Sequence, residues 1–195
     1  MENKLNLKKG LTYIVIGFLF TFISLNLKLN TANIDITPDY VGWILIFMGF
    51  DLLGDYVKDM KYLKWAAIGM AVLSLISWIL AALSVSLDPD YLSTFINLAM
   101  ILYFYFLLDP IEKIAEDNGS LRVSSIRTVR MAMLGGIGLS VILFVLSFFA
   151  DEKLTLFLVV MVMIIQVYVT IALAFDLFLV RKEISEKLKE NENDS

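Results

Sequence analysis

Tyr40-Val41-Gly42-Trp43-Ile44-Leu45-Ile46-Phe47-Met48-Gly49-Phe50-Asp51-Leu52-Leu53-Gly54-Asp55-Tyr56, followed by Val57-Lys58-Asp59-Met60-Lys61-Tyr62-Leu63-Lys64, is the stretch on which the fold turns. A helix needs about 20 apolar residues, at 1.5 Å each, to cross about 30 Å of hydrocarbon. The run from Tyr40 to Tyr56 is slightly short of that, and Asp51 and Asp55 interrupt it. If it crosses, the loops after it fall on one set of faces; if it fails, every later loop changes side.

The rest of the chain decides the matter through charge. Five other apolar blocks lie at about 11–27, 65–87, 91–108, 131–150 and 154–180. With six spans and an inner N-terminus, the inner segments collect Lys4, Lys8, Lys9, Lys58, Lys61, Lys64, Lys113, Arg122, Arg127, Arg130, Arg181, Lys182, Lys187 and Lys189. Of the 16 Lys and Arg residues only Lys28 and Lys153 remain outside. Removing the second span would turn most of these cations outward, against the rule that cytoplasmic loops hold the Lys and Arg. The expected fold is therefore all-α, a polytopic membrane bundle of six transmembrane helices in three hairpins, with both termini cytoplasmic in a cell membrane.

Composition supports the same class. In 195 residues, 59% are hydrophobic and 18% charged, where soluble domains carry about 25% charged residues. A net charge of −4 gives no basic balance for nucleic acid. With no Cys and no His, disulfides, zinc sites of the usual ligand set, His-ligated haem and Ser-His or Cys-His nucleophiles are excluded, and no cofactor is expected. Lys8 and Lys9 precede an apolar run without a small-x-small cleavage site, which predicts a retained first helix.

Short loops leave one integral membrane domain over residues 1–195, with residues 181–195 as a charged, solvated cytoplasmic tail prolonging the sixth helix. Asn118-Gly119 is a helix stop for the fourth span, and Ser120 or Ser124 is placed to cap the fifth. Tyr40, Trp43 and Tyr91 are expected at the outer boundary, and Tyr56, Tyr62, Trp65, Tyr103 and Tyr105 at or near the inner one, as interfacial belts. Ala67, Ala71, Ser74, Ser77, Ala81 and Ser84 form a small-residue stripe that predicts a central third helix. Gly17 with Thr21, and Gly42 with Gly49, put small faces on the first and second.

An ionisable group inside a bilayer costs about 2.5–3.5 kcal/mol on insertion scales, so depth selects the candidates. Counting from Asp39, Asp51 lies about 18 Å in and Asp55 about 24 Å. Asp51 requires compensation, by Lys58 or Lys61 nearby, by Arg127 or Arg130 at the base of the fifth span, by a cation, or by protonation, with the bridge to Arg127 or Arg130 the first expectation. The candidate polar intramembrane site comprises Asp51, Asp55, Asn97, Gln166 and Asp176. Asn97 and Gln166 read first as interhelical hydrogen-bond partners and second as cavity-lining groups.

The segment Pro38-Asp39-Tyr40-Val41-Gly42-Trp43 through Gly49 resembles the second-span opening of small uncharacterised multi-pass membrane proteins of Firmicutes, over about the first hairpin. The resemblance implies a multi-pass membrane protein and transfers no activity or site residue. Size and span count are similar to those of the substrate-binding subunits of energy-coupling-factor vitamin transporters, although Gly17 and Thr21 stand where those subunits pair Ala-x-x-x-Ala. The expected function is a non-catalytic membrane component: a solute-binding or transport subunit, or an accessory protein. Its partners would be the bilayer and another membrane protein or a second copy, with no nucleic acid. The alternative is an intramembrane aspartyl protease, suggested by Leu53-Gly54-Asp55, in which Asp51 or Asp55 shares a proton with Asp176 or Asp109; the first Gly of that motif is replaced by Leu52. No other catalytic motif is present, so the chain is expected not to be an enzyme.

Overall fold

The computed structural model describes residues 2–22, 26–29, 32–35, 38–54, 61–83, 89–146 and 152–193. Among them the fold is all-helical apart from one small hairpin. The helices are α1 (Glu2–Phe22), α2 (Asp39–Leu53), α3 (Lys61–Ala82), α4 (Pro89–Asp117), α5 (Val123–Leu146) and α6 (Glu152–Asn193). Between α1 and α2, β1 (Asn26–Leu29) pairs antiparallel with β2 (Ala32–Asp35), Leu27 opposite Ile34 and Leu29 opposite Ala32. Asn26 and Leu27 were expected to end the first span and residues 28–39 to form a loop, and the paired strands correct both expectations. The hairpin's signal is an alternating pattern interrupted by only two residues, the spacing of a tight hairpin.

Four helices, α1, α3, α5 and α6, are long and apolar enough to cross a membrane. The 15 residues of α2 span only about 22 Å. Each helix packs on its neighbour in sequence, and α6 returns to α1, so the order closes on itself.

Glycine sets the tightest of these contacts. Gly10 and Gly17 on α1 face Gly49 and Gly42 on α2, each within 3 Å of the other backbone once a Cβ is imagined on it. No side chain fits there, so the two helices lie against each other with only hydrogen between them. The centre of the bundle is accordingly α1, not α3. Of Leu5–Phe22, 44% is buried, against 22% of Lys61–Leu80. The stripe on α3 does pack, through Ala67 and Ser74, but onto α2 at the margin of the bundle.

An aromatic cluster fills the interior. Trp43 meets Tyr103 edge to face at 4.8 Å and Phe104 at 5.5 Å, and Phe104 meets Phe18 at 4.9 Å. Trp43 and Tyr103 are both buried, which corrects the belt assigned to them at opposite boundaries: they share one level, inside. Tyr62 and Trp65 are exposed.

The turn between α4 and α5 forms as its sequence predicts. Asn118-Gly119 ends α4 with Gly119 at φ +59°, the Ser120 N–H donating to Ala115 O at 2.8 Å and the Gly119 N–H to Glu116 O at 2.9 Å. The Ser120 hydroxyl oxygen then accepts the Arg122 N–H at 3.1 Å, ahead of α5.

Candidate functional site

Asp51 lies in the last turn of α2, which ends at Gly54 with φ +55°, and this early stop keeps it out of the interior. Its carboxylate is exposed and ion-paired with Lys64 in the first turns of α3, and the Lys64 ammonium also lies 4.8 Å from the centre of the Phe47 ring. The expected bridge to Arg127 or Arg130 is not made. Arg127 binds Glu112 at 2.6 Å and Glu116 at 3.1 Å. Arg130 pairs with Asp109 and reaches Glu112 at 3.4 Å. These acids belong to the last turns of α4, and the short α4–α5 connection places them nearer to the α5 arginines than Asp51 is.

Among the described residues the buried acid is Asp176, 3% exposed in α6. The Ser125 hydroxyl of α5 lies 2.9 Å from Asp176 Oδ1 and 2.8 Å from Oδ2, with Arg122 contributing the nearby positive charge. One hydroxyl proton serves two carboxylate oxygens, so Ser125 holds the side chain against α5 without saturating it. Asp51, Asp109 and Asp176 thus have three different partners, and no two of them share one. Asp55 lies outside the described residues, as does the side chain of Asn97. Among the described residues no cluster of three Asp, Glu, His or Cys is placed to hold a metal ion.

Gln166 lines a cleft of about 580 Å³ between α4, α5 and α6, with Phe22 of α1 also in its lining. The walls are apolar, with Met100, Phe104, Ile137 and Leu173 among them. Among the described residues the polar groups are Gln166, Ser140 and Thr170, and no acidic or basic side chain contributes. The cleft follows from how α5 and α6 pack. Among the described side chains, those buried on α5 are Ile126, Val129 and Met133, near its start; on α6 they are Val169, Leu173, Asp176, Leu177, Val180 and Ile184, from its middle onward. The pair is therefore packed tightly around Ser125 and Asp176, and it opens beyond Met133 and Val169.

Past Val180, α6 continues as a helix and clasps the α4–α5 turn instead of ending as a free tail. Ile184 is buried, Glu183 accepts from the Ser120 hydroxyl at 2.5 Å, and Lys187 donates to the carbonyls of Asn118 and Gly119. Arg181 donates from Nε to the Thr12 hydroxyl on α1 at 2.8 Å. Sequence reading missed Ser125 and Thr170 because isolated hydroxyls are common in apolar helices and nothing local distinguishes a functional one.

Comparison of the chain with protein-family models, with curated proteins and with solved structures finds no match.

Proposed function

We propose that the chain is an integral membrane protein of the cell membrane in which all six helices cross the bilayer, with both termini on the cytoplasmic face. We propose further that it acts without catalysis, as a solute-binding or transport subunit or as an accessory to a larger membrane assembly. The supporting observation is the outer surface of the bundle. Val72, Ile76 and Ile79 on α3, Val141 and Ile142 on α5, and Phe157, Ile164, Val167, Ile171 and Phe175 on α6 are all exposed. Apolar surface on this scale has no place in water and is ordinary against lipid.

The cations add direction to this reading. Lys8 and Lys9 begin α1, Lys61 and Lys64 begin α3, Arg122 and Arg127 begin α5, and Arg181 to Lys187 extend α6. Contacts of Gly10 with Gly49, Lys64 with Asp51, and Lys187 with the α4–α5 turn gather these ends together. Their gathering supports assigning this end to the cytoplasmic face, where the positive-inside rule puts Lys and Arg. On this reading the short α2 crosses alongside α1, against which it packs at Gly42 and Gly49. Alkaline extraction of cell membranes tests the proposal: the protein should stay in the pellet, and release into the supernatant would contradict it.

A further inference from the structure

The cleft between α4, α5 and α6 gives the proposed binding role a ligand class. We propose that it takes up, sideways from the bilayer, an uncharged lipid-soluble molecule: a hydrocarbon body with one hydroxyl or carbonyl head. This rests on the membrane reading above.

Charge is the first constraint. Among the described residues no acidic or basic side chain lines the cleft, and an ionised head there would lack a counter-charge from them in a medium that solvates it poorly. Polarity is the second. Gln166 stands ten residues beyond Leu156 and fifteen before Arg181, about 15 Å and about 22 Å along the helix, which is mid-bilayer. Among the described residues no hydrogen bond reaches its side-chain amide, which carries both donors and an acceptor. The Ser140 and Thr170 hydroxyls donate to their own helix, to Gly136 O at 2.9 Å and Gln166 O at 2.8 Å, so their oxygens are left as acceptors. A ligand hydroxyl can accept from Gln166 and donate to one of these oxygens.

Size is the third constraint. About 580 Å³ falls within the roughly 300–1,000 Å³ usual for small-molecule pockets. It is far less than a helix about 10 Å across and 30 Å long would fill, so a partner span is not the occupant.

A matched series of one chain length separates the contributions: oleyl alcohol, oleate and 1-octadecene, titrated against the purified full chain and read by native mass spectrometry and thermal midpoint. The alcohol should bind about tenfold tighter than either of the others, a tenfold ratio being about 1.4 kcal/mol. Gln166→Leu keeps the side-chain bulk and should bring the alcohol down to the level of 1-octadecene while leaving 1-octadecene unchanged, a comparison internal to the variant that unfolding would not mimic. Gly136→Phe, which fills the cleft from α5, should weaken all three. Equal binding of alcohol and oleate, or an alcohol preference that survives Gln166→Leu, overturns the assignment and leaves a groove wetted by ordinary lipid tails. Release of the chain by alkaline extraction would instead overturn the membrane reading beneath it.

Discussion

Gly17 and Gly42 lie backbone to backbone: a Cβ on Gly17 would sit 2.5 Å from the Gly42 carbonyl oxygen, and one on Gly42 would sit 2.6 Å from that of Gly17. Gly10 and Gly49 repeat the contact seven residues away on each helix, at 2.9 and 2.8 Å. Two contacts two turns apart hold α1 against α2 from Gly42 to Gly49.

Substitution at that contact is therefore expected to cost much more than at glycines that touch nothing. Gly17→Leu or Gly42→Leu should lower stability by about 3 kcal/mol, the upper end for overpacking, because the obstructing atoms are backbone and cannot turn away. Gly138 meets no atom within 4 Å. Gly138→Ala should leave stability unchanged or raise it by up to about 1 kcal/mol through helix propensity. Thermal midpoints in one detergent rank the variants; equal losses at Gly17 and Gly138 would contradict the packing.

Tyr103 buries its hydroxyl with no hydrogen-bond partner among the described residues. A buried unsatisfied hydroxyl costs about 1–3 kcal/mol. Tyr103→Phe retains the edge-to-face contact with Trp43 and is expected to melt at or above the temperature of the parent chain. A clear drop in the midpoint would mean that the hydroxyl has a partner.

The two acids should respond differently to loss of their partners. Asp51 and Lys64 are half-exposed and partly exposed, so Lys64→Ala should cost less than about 1 kcal/mol. Ser125→Ala deprives buried Asp176 of its donor and should cost about 1–3 kcal/mol. Replacing both partners, Ser125→Ala with Asp176→Leu, should recover most of that loss, since no buried acceptor is then left unpaired. A double variant less stable than Ser125→Ala alone would contradict this account.

Much of this molecule is legible from its sequence because the decisive signals are local. Apolar run lengths locate the six helices, and Asn118-Gly119 with Ser120 fixes the α4–α5 turn. Helix ends run past the apolar blocks, as where α5 begins at Val123 and not near Met131, because a helix continues in water once its charged side chains find partners. What sequence does not carry is which elements meet. Trp43 and Tyr103 look like boundary residues in one dimension, yet they meet inside because α2 and α4 are neighbours. Asp51 finds Lys64 because α2 stops early at Gly54. Of the candidate site, Asp176 keeps an interior role at the α5–α6 contact and Gln166 lines the cleft, whereas Asp51 serves as a surface tie.

The extension of α6 offers a further test. Because Ile184, Glu183 and Lys187 hold the α4–α5 turn, Lys187→Ala should cost about 0.5–1.5 kcal/mol, as the loss of hydrogen bonds does. Truncation after Val180 should cost more than that. Unchanged midpoints for both would show that the extension is only a solvated end.

The most direct measurement is labelling of single cysteines by an impermeant maleimide on intact cells, for which the natural absence of Cys provides an unmarked background. Asn33→Cys and Glu152→Cys should label from outside, while Lys61→Cys, Lys113→Cys and Ser185→Cys should label only after the membrane is opened. Labelling of Lys61→Cys and Ser185→Cys from opposite faces, or of every position alike in intact cells, would contradict the six-span arrangement.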